Sequence, residues 1–212
     1  MVRCRDRYAS DLSALTHVWK HQAARGVTLT ELVFAIALSI VLLALAIPVG
    51  GDALDDIRTR AAARFVAGRI ATSRLGAINR SRAIALRFAP GVPDYYFCAY
   101  VDGNGNGVRT ADIQAGMDFA WGGSRQLGSD FRGVHFGLAL GIPDIDGVRN
   151  TNADGVRIGT ARILTMSPDG TATSGTLYVQ GAQAQYAIRV LGATGRTRVL
   201  KFDRGSQTWV SS

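Results

Sequence analysis

From Leu32 to Ile47 the chain runs for 16 residues without a charge, and Ser39 is the only polar side chain among them. Extending the run to Val27–Val49 gives 23 residues and adds only Thr28, Thr30 and Glu31 as polar groups. A helix rises ~1.5 Å per residue, so about 20 apolar residues cross a bilayer core. Residues 27–49 therefore predict a transmembrane helix. Residues 1–26 are polar and basic: Arg3, Arg5, Arg7, Lys20 and Arg25 oppose Asp6 and Asp11, giving 5 − 2 = +3. Positive charge on that flank predicts a cytoplasmic N-terminus and an exported remainder.

Beyond Pro48 and the Gly50-Gly51 pair the pattern becomes amphipathic, and residues 50–82 read as a continuation of the helix. Asp52, Asp55 and Asp56 fall in its expected first turns, where negative charge suits the helix dipole. Leu54, Ile57, Ala61 and Phe65 follow a 3–4 spacing that Val66, Ile70 and Ile78 continue. Arg58, Arg60, Arg64, Arg69, Arg74 and Arg80 fill much of the remaining surface, and the pattern ends near Arg80.

The period then changes to two. Ala83–Phe88, Tyr95–Val101, Val134–Leu140, Arg162–Met166, Thr176–Val179, Tyr186–Leu191, Arg198–Phe202 and Gln207–Val210 read as short strands, punctuated by Gly, Pro, Asp and Asn. With 47% apolar and 19% charged residues the chain is too apolar for disorder. The expected fold class is α+β. A long N-terminal helix, half of it transmembrane, packs on an antiparallel β-rich domain over residues 83–212.

Catalytic chemistry is poorly served. Cys4 and Cys98 cannot build a disulfide framework or a four-ligand zinc site, and His17, His21 and His135 are scattered. There is no Gly-x-Ser-x-Gly elbow, His-Glu-x-x-His pair or phosphate-binding loop. Asp55-Asp56 is accounted for by the helix dipole, which leaves Asp144-x-Asp146 as the other candidate carboxylate pair. The expectation is a protein that is not an enzyme. One local motif suggests a cation. Asp102, Asn104 and Asn106 stand at positions one, three and five of a loop with Gly107 at six, as in a calcium loop. Its closing acid, Asp112, comes one residue early, and Asn-Gly repeats also serve as ordinary hairpin turns.

Only one of the 16 acidic residues is a glutamate, Glu31, and it stands at the mouth of the apolar run. An ordinary signal peptide is one reading, with Ala44-Leu45-Ala46 as its cleavage site. Yet such a peptide has no use for a carboxylate there, and an unpaired charge inside a membrane helix costs several kcal/mol. The junction Arg25-Gly26-Val27-Thr28-Leu29-Thr30-Glu31-Leu32 resembles the type III prepilin signal of type IV pilins and pseudopilins. The resemblance implies that a membrane prepilin peptidase cuts after Gly26 and N-methylates Val27. It implies that Glu31, fifth after the cut, pairs with the amine of a neighbouring subunit during assembly. Pro48 is twenty-second, where pilins commonly carry a proline. Val27 departs from the usual phenylalanine, and the 26-residue leader is long, as an upstream mis-assigned start would make it. Cleavage leaves 212 − 26 = 186 residues with net charge 8 − 3 = +5, and Cys98 as the sole cysteine. Its setting, Tyr96-Phe97-Cys98-Ala99-Tyr100, predicts a buried structural thiol.

The C-terminal half narrows the resemblance. Met166-Ser167-Pro168-Asp169-Gly170, followed by Gly175-Thr176-Leu177-Tyr178-Val179, is similar to a strand–turn–strand stretch of the GspH/FimT family of minor pseudopilins and minor pilins. Thr194-Gly195-Arg196-Thr197-Arg198 resembles that family's Gly-Arg-x-Arg turn. The family implies a bacterial inner-membrane protein with a periplasmic domain, built into a secretion pseudopilus or a pilus. Its implied partners are prepilin peptidase, other pseudopilins or minor pilins, and secreted cargo or an outer-membrane secretin. FimT-like members imply DNA capture at the turn, with Gly195, Arg196, Arg198 and Lys201 as candidates. Gly195 suits the left-handed position of a hairpin, and period two puts Arg196 and Arg198 on one side. Arg189 and Arg204 would enlarge the patch, whereas pairing of the arginines with Asp203 would cancel it.

Overall fold

The computed structural model describes residues 26–212, with the backbone alone for 45–50. The expected leader over 1–26 lies outside the described residues except for Gly26. Helix α1 runs from Leu29 to Arg80. Thr28 caps it: the Glu31 amide donates to Thr28 Oγ1 at 3.2 Å and the Leu32 amide to Thr28 O at 3.1 Å. Thr28-x-x-Glu31 is thus a capping sequence. The helix continues through Pro48 and Gly50-Gly51 without a break. It ends in a left-handed Ser81, φ 52°, with the Ser81 amide on Ile78 O and the Arg82 amide on Ala77 O.

The chain divides into two units, Met1–Leu45 and Ala46–Ser212. In the first, every residue from Gly26 to Ala44 is exposed, Leu29 and Phe34 by 80% and 70%. Ser39, the polar exception, satisfies its hydroxyl on Ala35 O at 2.8 Å. Among the described residues no helix is long and apolar enough to cross a membrane. The span expected over 27–49 includes 45–49, whose side chains lie outside that description.

The second unit holds two antiparallel sheets. After α1 come β1 (Ile84–Ala89), β2 (Tyr96–Val101), α2 (Thr110–Gln114), β3 (Phe119–Ala120), β4 (Arg125–Gln126) and α3 (Leu127–Asp130). Then follow β5 (His135–Phe136), β6 (Val156–Arg157), β7 (Ile163–Met166), β8 (Gly175–Gln180), β9 (Gln185–Leu191), β10 (Arg196–Asp203) and β11 (Thr208–Ser211). One sheet has the order β3-β2-β1-β7, with β4 also on β2; the other runs β11-β10-β9-β8-β5, with β6 also on β8. The strand expected over Val134–Leu140 shrinks to His135–Phe136. The cause is a shared edge: β5 takes Val179 and Gln180 of β8, while β6 takes Thr176 and Leu177. Beyond Gly137 the chain turns aside, and the Leu138 amide bonds Ala153 O instead.

The imperfect alternation of the C-terminal strands has a simple origin: the second sheet buries both faces. Leu177, Val179, Tyr186, Ile188 and Val190 join a core shared by α1 and both sheets. The opposite face sends Tyr178, Ala187 and Phe202 into a second cluster with Leu138 and Ile142.

The core-facing stripe of α1 matches the expected one only in part. Leu54, Ile57, Ala61 and Ile78 are exposed, whereas Thr59, Ala62, Ala63, Val66, Ile70, Ser73 and Ala77 are buried. Several of these are small, and small side chains allow a helix to lie close on a sheet. Val66 and Ile70 are buried as the spacing predicts and Phe65 packs against the core, but Thr59, Ala62, Ala63, Ser73 and Ala77, rather than Leu54, Ile57, Ala61 and Ile78, complete the face.

Asp55 and Asp56 are also corrected. They do not sit at a helix N-terminus, since α1 begins 26 residues before Asp55 (55 − 29 = 26). Asp55 accepts the amides of Ala182, Gln183 and Ala184 in the β8–β9 turn at 2.8, 2.7 and 2.8 Å. Asp56 pairs with Lys201 at 2.7 Å and accepts the Tyr186 hydroxyl at 2.9 Å. The turn comes so near that a Cβ at Gly181 would strike Thr59 Oγ1 and the Asp55 carboxylate. These two aspartates fasten α1 to the second sheet.

Burial alone would raise the Asp55 pKa, but the amides of Gln183, Ala184 and Ala182, with Arg58 nearby, hold it below the ordinary 3.8. A depressed folded value means that this stabilisation is complete above the unfolded pKa and is lost as pH falls through the folded one. Asp55→Ala should therefore destabilise the protein by about 1–3 kcal/mol at neutral pH, the cost of leaving the turn amides without their acceptor. In urea titrations the gap from wild type should narrow as pH falls below 3.8. Equal midpoints at neutral pH would refute the fastening role.

Candidate functional site

Residues with chemical interest lie in both units. In the first, Gly26 precedes the helix cap and Val27 is 68% exposed. Glu31 stands in the first turn of α1, its backbone amide held by Thr28 and its side chain exposed. Its carboxylate accepts no hydrogen bond and joins no ion pair among the described residues. The reciprocal half of a capping box, Glu31 to the Thr28 amide, is not formed, so the carboxylate is not consumed by its own helix. Helix α1 runs on through Pro48, which has no N–H to offer the Ala44 carbonyl one turn back. The capping sequence is legible in the residues once the helix start is known, and it accounts for where the helix begins.

In the second unit the β9–β10 turn brings Gly195, Arg196 and Arg198 together. Gly195 is left-handed at φ 59° and buried. A Cβ there would collide with Gly170 O and with Arg74, whose Nε donates to the same carbonyl at 2.8 Å. Ala172 and Gly192 join the two segments by a backbone hydrogen bond of 2.8 Å. Thus the Ser167–Gly170 turn and the Thr194–Arg198 turn, far apart in sequence, are packed against each other and against α1. The helical pattern marks Arg74 only as a surface arginine; its role depends on a carbonyl 96 positions away, which no local pattern reveals.

Arg196 and Arg198 are exposed at the start of β10, and neither has an ion-pair partner among the described residues. Asp203 does not neutralise them; it accepts from Gly205 and Ser206 at the far end of the strand. The other expected members of the patch are engaged. Lys201 holds Asp56, Arg189 holds Asp146 at 2.8 Å, and Arg204 donates to Gln183 O at 2.9 Å. The patch is therefore two arginines wide, with Arg189 opposite Arg198 in the ladder.

The Asp102 loop is organised by its own backbone. Asp102 is buried and accepts the amides of Asn104, Gly105 and Gly107 at 3.2, 2.7 and 2.8 Å. Asn104 Oδ1 accepts the Asn106 amide at 3.1 Å. Asp118, which the sequence pattern did not single out, accepts the amides of Gly103 and Arg109. Asp112 lies on α2, buried, and is not among the residues that bond this loop. Among the described residues no group of three or more His, Cys, Asp or Glu side chains is placed to hold a metal ion. Of the residues expected to hold calcium, Asp102 and Asn104 accept backbone amides of the loop, and Asp112 stands on α2.

Cys98 is buried on β2 with its thiol near Gly122 O. Burial raises its pKa despite the Arg69 charge, so the reactive thiolate is suppressed.

No protein-family model matches the chain, and no curated protein matches it in sequence. Among solved structures, the chain is similar to the minor pseudopilin EpsH from the type 2 secretion system of Vibrio cholerae. The identity is 14%, the TM-score is 0.43, and the match covers 68% of this chain and 97% of that one.

Gly195→Ala should destabilise the protein by about 1–3 kcal/mol, because it adds both a strained φ and a buried clash. The measurement is the urea midpoint of the variant against wild type. An unchanged midpoint would mean that the turn is not packed as described.

Proposed function

We propose that this chain is a structural subunit of a pilin-type filament, made as an inner-membrane precursor and processed after Gly26 by a prepilin peptidase. The observation that carries the reading is the first unit: an apolar helix with exposed large side chains throughout, opened by a lone carboxylate without a partner among the described residues. A surface of that kind must be covered by lipid, by neighbouring helices, or by each in turn. Before assembly the bilayer covers residues 27–49, with the second unit in the periplasm. After assembly, neighbouring helices do so. Glu31 then accepts the N-terminal amine of Val27 from an adjacent subunit, and the pair is stabilised by exclusion of water.

The chain is a structural subunit and not an enzyme, in a role like that of the minor pseudopilins of type II secretion. Val27 is N-methylated after cleavage. The second unit offers contacts to other pseudopilins and to cargo or a secretin. Support for this role lies in the residues of the processing junction and in the α+β arrangement that follows it.

A second reading is favoured by one specific observation: Arg196 and Arg198 are exposed and free of ion pairs among the described residues. Guanidiniums so placed are suited to phosphate. On this reading the subunit is a FimT-like minor pilin that captures DNA.

Glu31→Ala should leave cleavage intact and remove the protein from sheared filaments; normal incorporation would overturn the role of Glu31. Gly26→Trp should leave the uncut precursor in the membrane, and a mature-size band would contradict the cut site. For the second reading, the full chain in detergent should shift duplex DNA in a salt-sensitive manner. Removing Arg196 and Arg198 together should lower the salt slope by about two. Absence of a shift at low salt would reject DNA capture.

A further inference from the structure

The loop between β2 and α2 carries two Asn-Gly pairs in one run, Asn104-Gly105 and Asn106-Gly107. In such a pair the glycine nitrogen can attack the side-chain carbonyl carbon of the asparagine. Glycine sets no Cβ in the way of that approach. Ring closure forms a C–N bond and expels ammonia, leaving a cyclic imide. Water then opens the imide on one side or the other, to aspartate or to isoaspartate. The sum consumes one water and releases one ammonia, with no oxidant or reductant. Asn104, Gly105 and Asn106 are exposed. A Cβ at Gly105 or Gly107 would meet nothing within 4 Å, so the segment faces open space.

The attack requires a glycine nitrogen that sheds its proton and is free to move. In this loop both nitrogens are held. The Gly105 amide donates to Asp102 Oδ1 at 2.7 Å, and the Gly107 amide donates to Asp102 Oδ2 at 2.8 Å. One buried carboxylate thus restrains both nucleophiles, one on each oxygen. Negative charge at that distance also disfavours the amide anion from which attack proceeds. Asp118 Oδ1 likewise accepts the Gly103 amide at 3.1 Å, the nitrogen that follows Asp102 itself.

The two asparagines are not equally restrained. Asn104 Oδ1 accepts the Asn106 amide at 3.1 Å, and Asn104 Nδ2 donates to Met117 Sδ at 3.8 Å. Asn106 takes part through its backbone amide, and its exposed side chain makes no hydrogen bond among the described residues. Its restraint is the Gly107–Asp102 bond alone.

We infer that Asn106 is a site of spontaneous deamidation held in check by Asp102. When the Gly107–Asp102 hydrogen bond opens, the Gly107 nitrogen closes on Asn106 Cγ and the loop gains a negative charge at an exposed position. Asn104 reacts more slowly, because its side chain must first leave its own partners. The inference depends on neither reading of the function.

The test incubates the full chain in detergent in a mildly alkaline buffer. Digestion and mass spectrometry of timed samples then locate each amide converted to a carboxylate. Asp102→Ala should speed conversion at Asn106 by about tenfold or more, the size of one lost hydrogen bond to a carboxylate, with Asn104 lagging behind. Asp118→Ala frees the Gly103 amide but neither Gly105 nor Gly107, and should leave the rate at Asn106 as in wild type. Where Asp102→Ala does not fold, the wild-type chain decides the matter. Hydrogen exchange of the Gly107 amide and conversion at Asn106 should both be slowed by the same factor relative to the urea-unfolded chain, because both proceed through one opening. An unchanged rate in Asp102→Ala, an equal acceleration by Asp118→Ala, or an unprotected Gly107 amide would overturn the inference.

Discussion

Ala62, Ala63, Val66, Ile70 and Ala77 of α1 share one core with strands from both sheets, and each is wholly removed from solvent. The rest of the second unit depends on that contact. A helix presenting alanines lies close to its sheets, and closeness brings the hairpin turns within reach of helix side chains. Asp55 and Asp56 then meet the β8–β9 turn and Lys201, and Arg74 meets the Gly170 carbonyl. Two glycines are fixed by the same geometry, Gly181 against Thr59 and Gly195 against Arg74. A larger residue in place of Ala63 would force the sheets away and loosen every one of these attachments.

Much of the secondary structure is legible in the residues, because period two and turn residues report local geometry directly. The expected strands Ala83–Phe88, Tyr186–Leu191 and Gln207–Val210 differ by a residue or so from β1, β9 and β11. What escapes is set by tertiary contact. Size usually marks the core, so the pattern adds Leu54 and Ile57 to Val66 and Ile70 on the packed face of α1; the latter two are buried, while Ala62, Ala63 and Ala77 take the place of the former. Ser81 at a left-handed cap gives no glycine signal. Asp55 and Asp56 read as dipole partners only while a helix start is placed at residue 50.

The candidate sites divide in the same way. Gly195 is readable, since a left-handed turn position favours glycine, and period two puts its neighbours Arg196 and Arg198 on one side, where both are exposed. The engagement of Lys201 is not, because its attachment to Asp56 spans most of the second unit. The calcium pattern is readable in spacing, but that its first carboxylate accepts three backbone amides of its own loop is not.

The single glutamate remains the position on which the functional account turns. Its neighbours define a helix cap, but the cap uses the Glu31 amide and leaves the carboxylate to other chemistry. The most direct measurement is the mass and N-terminal sequence of the protein purified from its native membrane. The account predicts a chain of 212 − 26 = 186 residues that begins at Val27 and carries one added methyl group. A mature chain beginning beyond Ala46, or one that retains residues 1–26, would contradict it.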